Sequence, residues 1–238
     1  MTDAPKHRFY GRRKGRPLRP TRQGLLDTLL PAVCLPGGEG PLDLAALFPF
    51  GPRETWLEIG FGNGEHLIRQ SDANPDVGII GAEPFLSGVG RLLSYLDERP
   101  RPNVRVHADD VRPVLDRLPA AGLSRVFILF ADPWPKARHH ERRIVSTSTL
   151  DRLAVLMRDG GELRLATDDM GYLRWMLEHA LRHPAFEWTA RRPDDWRERP
   201  GDWPPTRYEQ KALAQGRRPI YLTFRRRPRP ICPDGLPG

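Results

Sequence analysis

The chain has 238 residues, a hydrophobic content of 39% and a formal net charge of +8. No segment approaches the roughly 18 consecutive apolar residues of a membrane helix, and the N-terminus lacks the apolar region of a secretory signal. The two cysteines, Cys34 and Cys232, form neither a disulfide framework nor a metal-ligand spacing. We therefore expect a reduced, cytoplasmic protein with one main domain, no membrane association and no metal.

The positive charge is concentrated at the N-terminus. Residues 1–22 contain eight Lys and Arg against one Asp, so this segment carries +7 and the rest of the chain +1. The segment is poor in apolar residues and rich in Gly and Pro, which predicts a flexible arm that binds polyanions. A solubilising tail is the alternative, but Phe9 and Tyr10 among the cations favour a nucleic acid as the partner.

Strands and helices alternate after this arm. A helix is predicted over residues 24–33, followed by a Gly/Pro break at 36–41. Five apolar or β-branched runs predict strands at Thr55–Phe61, Val77–Pro84, Asn103–Asp109, Arg125–Asp132 and Glu162–Asp168. The segments after them have helical spacing at 65–73, 85–98, 111–118, 146–161 and 170–181, and the fourth of these helices is predicted to stop at Gly160–Gly161.

Two more strands, Ala185–Arg191 and Pro219–Arg227, flank a loop at 192–205 that is rich in Pro, Asp and Trp. They lack the regular crossover helix of a parallel pair. The pattern predicts an α/β fold with a doubly wound, Rossmann-like sheet and an antiparallel edge. We expect the domain to span residues 23–228, followed by a disordered tail at 229–238.

Acidic residues lie at the ends of four predicted strands, where ligands bind to an open α/β sheet. They are Glu58, Glu83, the pair Asp109 and Asp110, and Asp132. The first strand leads into a turn with Gly60, Gly62 and Gly64, which lack a Cβ and permit close approach to a ligand. Glu83 is placed to accept hydrogen bonds from a ribose diol.

The glycine spacing separates two candidate nucleoside cofactors. A dinucleotide fingerprint is G-x-G-x-x-G, whereas this chain has G-x-G-x-G with Glu58 two residues before the first glycine. A carboxylate there would repel a pyrophosphate but could face an ammonium or a sulfonium. S-adenosylmethionine is therefore favoured over NAD. The glycine loop alone is equally consistent with a plain strand–helix turn, and it is the acids on successive strands that favour a cofactor site.

The stretch FADPWPKARHHERR follows the fourth strand. Asp132 is followed by Trp134 between two rigid prolines, and then by Lys136 and a basic cluster. The members of the cluster are Arg138, His139, His140, Arg142 and Arg143. Only four of the 38 basic residues are lysines, so Lys136 indicates a position that needs a compact charge. We interpret the stretch as substrate-facing, with the histidines directed to backbone or phosphate; a solvated helix start is the alternative for the arginines.

At these motifs the sequence resembles the bacterial tRNA (guanine-N7-)-methyltransferase family. The matching segments are LEIGFGNGEHL, GAEPF, DPWPKARHHERRIV, ATDD and PPTRYEQKALAQGRRPIYLTF, and the resemblance runs from about Arg8 to Phe224. It implies a seven-stranded class I methyltransferase sheet and S-adenosylmethionine as methyl donor. It also implies methylation of a guanine at position 46 of tRNA, in the variable loop. A protein partner is not required by anything in the sequence.

The resemblance also implies roles for single residues. Cofactor contacts are expected from Glu58, Gly60, Gly62, Glu83, Asp110 and Asp132, and Asp132 is the candidate catalytic residue. Substrate contacts are expected from Lys136, Asp168, Thr206, Arg207, Tyr208 and Glu209. The chain departs from the family pattern in the loop at 192–205, in Asp169 directly after Asp168, and in the basic C-terminal end.

The chemistry needs orientation more than proton transfer. Guanine N7 is a lone pair without a hydrogen, so no base is needed to expose the nucleophile. Asp132 would stabilise the positive charge that develops on the base, and it could accept from guanine N–H groups. Lys136 would hold a phosphate or a base oxygen, while Asp168 and Glu209 accept from guanine and Thr206 and Arg207 fix the backbone.

Three other functions compete with this one. An exocyclic-amine methyltransferase would carry two adjacent prolines and an aromatic residue after the acid, whereas here Trp134 separates Pro133 from Pro135. A non-catalytic RNA-binding protein on the same fold explains the arm but not the acids at the strand ends. A nicotinamide dehydrogenase disagrees with the glycine spacing and with Glu58.

Overall fold

The structure of the protein is a computed structural model that describes residues 11, 13, 15 and 17–230. The helices in these ranges are α1 (Pro20–Thr28), α2 (Leu30–Val33), α3 (Leu44–Leu47), α4 (Glu65–Ala73), α5 (Leu86–Glu98), α6 (Arg112–Leu115), α7 (Thr147–Leu156), α8 (Met170–Arg182), α9 (Asp194–Arg197) and α10 (Arg207–Ala214). The strands are β1 (Glu54–Ile59), β2 (Val77–Ala82), β3 (Val104–His107), β4 (Leu123–Leu129), β5 (Met157–Thr167), β6 (Phe186–Trp188) and β7 (Ile220–Arg226).

One seven-stranded sheet has the order β3-β2-β1-β4-β5-β7-β6. The first five strands in this order are parallel, while β7 pairs antiparallel with both β5 and β6. The prediction of a doubly wound, Rossmann-like sheet with an antiparallel edge is therefore confirmed. The chain moves outward from β1 to β3 and then returns to place β4 on the other side of β1. Ligands bind at such a switch point, outside the carboxyl ends of the strands.

Apolar side chains cover both faces of the sheet and form two cores. Alternate residues of β4 illustrate this, because Val126 and Ile128 pack on one face while Phe127 and Leu129 pack on the other. The first core is completed by side chains of α6, α7 and α8, and the second by α1, α4 and α5. Strands buried on both faces read as continuous apolar runs, which is why β2 and β4 were visible in the sequence.

Several predicted boundaries are wrong in the first half of the chain. The helix over 24–33 is divided into α1 and α2, since Pro31 has no amide hydrogen to continue the helix. Strand β4 ends at Leu129 rather than at Asp132, because Phe130 has a φ of 53° and turns the chain out of the sheet. Gly160 and Gly161 do not end α7 but lie within β5, where Gly160 has a φ of 77° and the pairing with β4 shifts in register.

The segment between β6 and β7 is more ordered than predicted. The predicted loop at 192–205 contains α9, and the predicted strand 185–191 shortens to the three residues of β6. Helix α10 was absent from the predicted elements. Its N-terminus carries a capping box, in which Thr206 accepts from the amide of Glu209 and Glu209 accepts from the amide of Thr206.

The described part of the N-terminal arm reaches the sheet. The amide of Leu86 donates to the carbonyl of Arg13, and the Arg13 side chain pairs with Asp109. Helix α1 already begins at Pro20, inside the segment predicted to be an arm. Phe9, Tyr10, Lys6, Lys14, Cys232 and most of the predicted tail lie outside the described residues. None of the helices in the described ranges is long and apolar enough to cross a membrane.

Candidate active site

A cavity of about 340 Å³ lies at the carboxyl ends of β1, β2 and β4. This is the switch point of the sheet, and the volume lies within the range of small-molecule sites. The walls are formed by the glycine loop after β1, the turn after β2, the segment after β3 and the loop after β4. Predicted site residues that line the cavity are Gly60, Gly62, Glu83, Asp110, Asp132 and Tyr208.

The glycine loop has a backbone conformation that residues with a Cβ rarely adopt. Gly60, Gly62 and Gly64 have φ values of 77°, 58° and 85°, in the left-handed region that favours glycine. Helix α5 approaches this loop closely, since a Cβ added to Gly88 would lie 2.1 Å from the carbonyl oxygen of Gly62. The backbone therefore forms a tight cradle at the mouth of β1, which could not be built with ordinary residues.

Glu83 fixes this cradle to the turn after β2. Its carboxylate accepts from the amide of Gly62 at 2.9 Å and from the amide of Phe85 at 2.8 Å, and only 8% of the residue is exposed. Burial raises the pKa of Glu83 above its usual value, although the two amide hydrogen bonds oppose this effect. The neighbouring carboxylates of Asp132 and Glu58 raise the pKa further.

Glu58 has a different environment from the one predicted. Its Oε2 lies 2.8 Å from Nδ1 of His66, and the exposed fractions of the two side chains are 4% and 2%. Gln70 extends the contact, with its amide nitrogen 3.3 Å from His66 Nε2. Glu58 does not line the cavity, so its carboxylate is directed into a buried polar group rather than towards a ligand. The strand alternation places its neighbour Ile59 at the cavity wall instead.

The acids after β3 have separate partners. Asp110 lines the cavity, and its carboxylate accepts from the amide of Arg112 at 3.1 Å and from the Arg112 guanidinium at 2.9 Å. Asp109 also lines the cavity and forms the ion pair with Arg13. Gly11 contributes to the same wall, so part of the arm closes one side of the cavity. Arg112 and the arm were not predicted as parts of this site.

The loop after β4 places Asp132 at the open side of the cavity. Phe130 and Trp134 have φ values of 53° and 43°, an uncommon conformation for residues with a bulky side chain. This double turn brings Asp132 and Trp134 back over the strand end, and both residues line the cavity. The Asp132 residue is exposed, so its carboxylate is accessible from solvent.

The basic cluster divides into exposed and buried members. Lys136 and Arg138 are exposed, whereas Arg143 is buried and donates to the carbonyl of Pro133 at 2.8 Å. The Arg142 guanidinium lies 5.1 Å from the centre of the Trp134 ring and lines the cavity. Arg143 therefore supports the loop, and the prediction that it faces a substrate is wrong.

The two histidines of this stretch contact aromatic rings. His139 meets Trp134 edge to face, with 5.9 Å between ring centres, and His140 meets Trp175 at 5.4 Å. Neither contact is the backbone or phosphate orientation predicted from the sequence. His139 therefore packs on the tryptophan of the loop, and His140 packs on a tryptophan of α8.

Of the four residues Thr206–Glu209 at the start of α10, the outer two are buried and the inner two are exposed. Thr206 and Glu209 are buried and cap the helix; Glu209 also accepts from the Tyr221 hydroxyl and lies 3.0 Å from Arg199 Nε. The carboxylate of Glu209 is thus occupied within the protein, which differs from the predicted contact with guanine. Arg207 is exposed beside the cavity.

Tyr208 covers the glycine cradle. A Cβ on Gly62 would lie 2.8 Å from a carbon of the Tyr208 ring, so the ring packs directly on the loop. Burial raises the pKa of the Tyr208 hydroxyl, and the carboxylates of Glu83 and Asp132 raise it further. The hydroxyl therefore stays protonated and available as a hydrogen-bond donor at the cavity.

The two acids after β5, Asp168 and Asp169, have different contacts and therefore different roles. Asp169 caps α8 by accepting from the amide of Tyr172 at 2.7 Å. Asp168 pairs with Arg217 at 2.6 Å and keeps 19% of its side chain exposed. Neither lines the cavity.

In the part of the chain that the structure describes, no cluster of His, Cys, Asp or Glu could hold a metal ion.

Known proteins resemble this chain over most of its length. A family described as "Putative methyltransferase" matches residues 52–222. The chain is 59% identical to the tRNA (guanine-N(7)-)-methyltransferase of Rhodospirillum rubrum, with 96% of this chain and 91% of that protein covered. It is 52% identical to the protein of the same name from Ruegeria pomeroyi, with 94% and 96% covered.

Solved structures resemble the fold. The 16S rRNA methyltransferase KamB superposes with a TM-score of 0.54 at 15% identity, over 74% of this chain and 89% of that one. An rRNA methylase from Streptococcus thermophilus superposes with a TM-score of 0.50 at 12% identity, over 78% and 92%. At these identities the similarity shows a shared methyltransferase-type sheet.

Proposed function

This chain belongs to the tRNA (guanine-N7-)-methyltransferase family, and we propose from this premise that it methylates N7 of a guanine in the variable loop of tRNA. The methyl donor is S-adenosylmethionine, and the reaction takes place in the cytoplasm, where tRNA is the macromolecular partner. One observation carries the proposal: a glycine cradle, Glu83 and Asp132 surround a single cavity at the switch point of the sheet.

The cavity fits the cofactor in shape and charge. The glycines of the loop have left-handed backbone and carry no Cβ. A nucleoside can therefore come into close contact with the main chain of the loop. Glu83 is positioned to accept from the ribose hydroxyls, and Asp110 from the adenine amine. When bound, S-adenosylmethionine supplies an electrophilic methyl group on a sulfonium. Carboxylates around the cavity suit this cationic ligand and would repel a pyrophosphate.

Asp132 carries the electrostatic part of the reaction. Guanine N7 attacks with a lone pair that has no hydrogen, so the chain does not need to remove a proton from the nucleophile. The purine becomes positively charged as the methyl group is transferred, and the carboxylate of Asp132 at the cavity mouth stabilises this charge. Correct placement of the two reactants contributes about 7–11 kcal/mol in well-oriented reactions.

The exposed residues around the mouth hold the RNA. Lys136 stands four residues after Asp132 on the exposed side of the loop, and Arg207 is exposed at the start of α10. Asp168 is available as a third contact if its pair with Arg217 opens. Thr206 and Glu209 act indirectly, by fixing the helix that presents Arg207 and Tyr208.

The experiment that tests this function maps the methylated atom. The protein is incubated with labelled S-adenosylmethionine and an unmodified tRNA transcript, and the RNA is then reduced with borohydride and cleaved with aniline, which breaks the chain at 7-methylguanosine. We expect label in the RNA and cleavage in the variable loop. Label without cleavage would move the target to another atom. Bound tRNA without any label would make the protein a non-catalytic RNA-binding protein.

A further inference from the structure

A second depression lies beside the cofactor cavity, between α1, α5 and α10. We call it the arginine groove; it is lined by Arg22, Asn63, Glu65, Ser87, Arg91, Tyr95 and Arg207. Asn63 lines the cofactor cavity as well, so the two sites share a wall. On α10, Arg207 belongs to the groove while its neighbour Tyr208 belongs to the cavity. The groove is therefore adjacent to the position of a base at the cavity.

The charge of the groove is not neutralised by the protein. Three arginines and one glutamate line it, which leaves an excess of two positive charges. Other arginines of the chain have acidic partners, such as Arg101 with Asp72 at 2.8 Å. Arg22, Arg91 and Arg207 have no ion pair with an acid of the described residues. The Arg91 guanidinium instead lies 4.5 Å from the centre of the Tyr95 ring, which leaves its N–H groups available at the edge.

The side chain of Arg22 packs on the facing helix at Gly90. A Cβ added to Gly90 of α5 would lie 3.4 Å from Cβ of Arg22 and 3.7 Å from its Cδ. The stem of Arg22 thus runs against the bare backbone of α5. This contact places a side chain of α1 in the same groove as Arg91. The groove is therefore built by the packing of two helices.

We propose that the arginine groove binds a backbone phosphate of the tRNA next to the nucleotide that is methylated. Guanidinium groups present several N–H donors in a planar fork that matches phosphate oxygens. The hydroxyls of Ser87 and Tyr95 add further donors in the same groove. The inference deepens the proposed function and rests on it, since it states how the RNA is held while guanine enters the cavity. Arg91 was not a candidate from the sequence, and Arg22 was one only as a cation of the predicted arm.

The test removes one charge at a time. The variants Arg22→Gln and Arg91→Gln are compared with Arg225→Gln, because Arg225 is exposed, pairs in register with Glu162 in the middle of β5 and does not line the groove. The dissociation constant for tRNA is measured at several salt concentrations in the full-length protein. We expect each groove variant to weaken binding and to reduce the log–log salt slope by roughly 1, and Arg225→Gln to leave the slope unchanged.

One further measurement separates an RNA phosphate from the cofactor carboxylate as the occupant of the groove. The dissociation constant for S-adenosylmethionine is expected to stay at the wild-type value in both groove variants. A weaker cofactor affinity with an unchanged salt slope would overturn the proposal and assign the groove to that carboxylate. Salt slopes equal to that of Arg225→Gln would overturn it as well. The conservative variant Arg91→Lys keeps the charge, and we expect it to retain the slope with a moderately weaker affinity.

The outcome is independent of the methylation assay. If the wild-type protein did not methylate tRNA but the groove variants still lost one unit of slope, the proposed function would fail and the phosphate contact would stand. If methylation occurred at guanine N7 and the slopes did not change, the proposed function would stand and the groove would be excluded as a phosphate site.

Discussion

At the scale of single residues, Glu83 links the cofactor site to pH. Its pKa is raised in the folded chain by burial and by the nearby acids. Protonated Glu83 therefore stabilises the cofactor-free fold at low pH, and this contribution is lost as the pH rises through the raised pKa. Ribose hydroxyls need the ionised carboxylate as acceptor, so cofactor binding has the opposite pH dependence.

We expect cofactor affinity to fall on acidification at a higher pH than an ordinary glutamate would give. The measurement is the dissociation constant for S-adenosylmethionine by calorimetry from about pH 5 to pH 8. The variant Glu83→Gln is expected to bind more weakly at neutral pH and to lose this pH dependence. The same pH profile in the wild type and in Glu83→Gln would remove Glu83 from the account.

Gly88 gives a second prediction at this scale. An alanine there would drive its Cβ into the carbonyl of Gly62, which is backbone and has little freedom to move. We expect Gly88→Ala to cost about 1–3 kcal/mol of stability and to abolish the thermal stabilisation by S-adenosylmethionine.

Gly24 provides the matched control for this substitution. It lies in α1, and a Cβ added there has no neighbour within 4 Å. Gly24→Ala is expected to be neutral or stabilising by up to about 1 kcal/mol. Melting temperatures with and without the cofactor measure both variants, and an equal response of the two would contradict the close approach of α5 to the loop.

The sequence revealed which acids occupy strand ends but not where their side chains turn. Asp132 and Glu83 were expected at the cavity and line it. Glu58 stands on the same edge, yet it contacts His66, because this contact depends on α4 packing over β1 and cannot be read from local spacing. Likewise, nothing in the sequence indicated that Phe130 and Trp134 adopt left-handed backbone.

At the scale of elements, α10 carries Tyr208 to the glycine cradle. Its capping box was visible as T-x-x-E in the sequence, although the helix itself was not predicted, because a Pro-rich segment precedes it. Strands β2 and β4 of the central sheet were easier to predict, since each is an almost continuous apolar run. The end of β4 and the start of β5 were harder to predict, because tertiary packing determines how the chain turns at Phe130 and Gly160.

We expect Thr206→Ala to loosen this helix. Loss of an N-cap costs about 0.5–2 kcal/mol, and the weaker start of α10 would let Tyr208 leave Gly62. The predicted result is a modest loss of stability with a larger rise in the KM for tRNA. Thr206→Ser keeps the cap and is the control. Steady-state kinetics give the KM for tRNA of both variants. An unchanged KM in Thr206→Ala would show that the cap does not position Tyr208.

At the scale of the whole molecule, the basic N-terminal arm contacts the cofactor site. The sequence predicted a flexible arm that binds RNA. The described residues Gly11 and Arg13 instead contact the cofactor cavity and Asp109. A contact between residues that are far apart in the sequence cannot be predicted from the composition of the arm.

We therefore expect deletion of residues 1–16, which leaves α1 intact, to affect both ligands. The salt slope of tRNA binding should decrease because cations are lost, and S-adenosylmethionine should bind more weakly because one wall of the cavity is removed. Asp109→Asn is the companion variant, with a predicted effect on the cofactor and a smaller one on the salt slope. Unchanged cofactor affinity after the deletion would exclude the arm from the cavity.

The most direct test of the whole account is the single-turnover rate of 7-methylguanosine formation by Asp132→Asn. Saturating S-adenosylmethionine and tRNA isolate the transfer step from binding, and Asp97→Asn, an exposed position on α5, is the control. We predict a decrease of about 10²-fold or more in Asp132→Asn, since the carboxylate stabilises charge that develops during transfer, and a wild-type rate in Asp97→Asn. A full rate in Asp132→Asn would contradict the assignment of the cavity mouth as the site of methyl transfer.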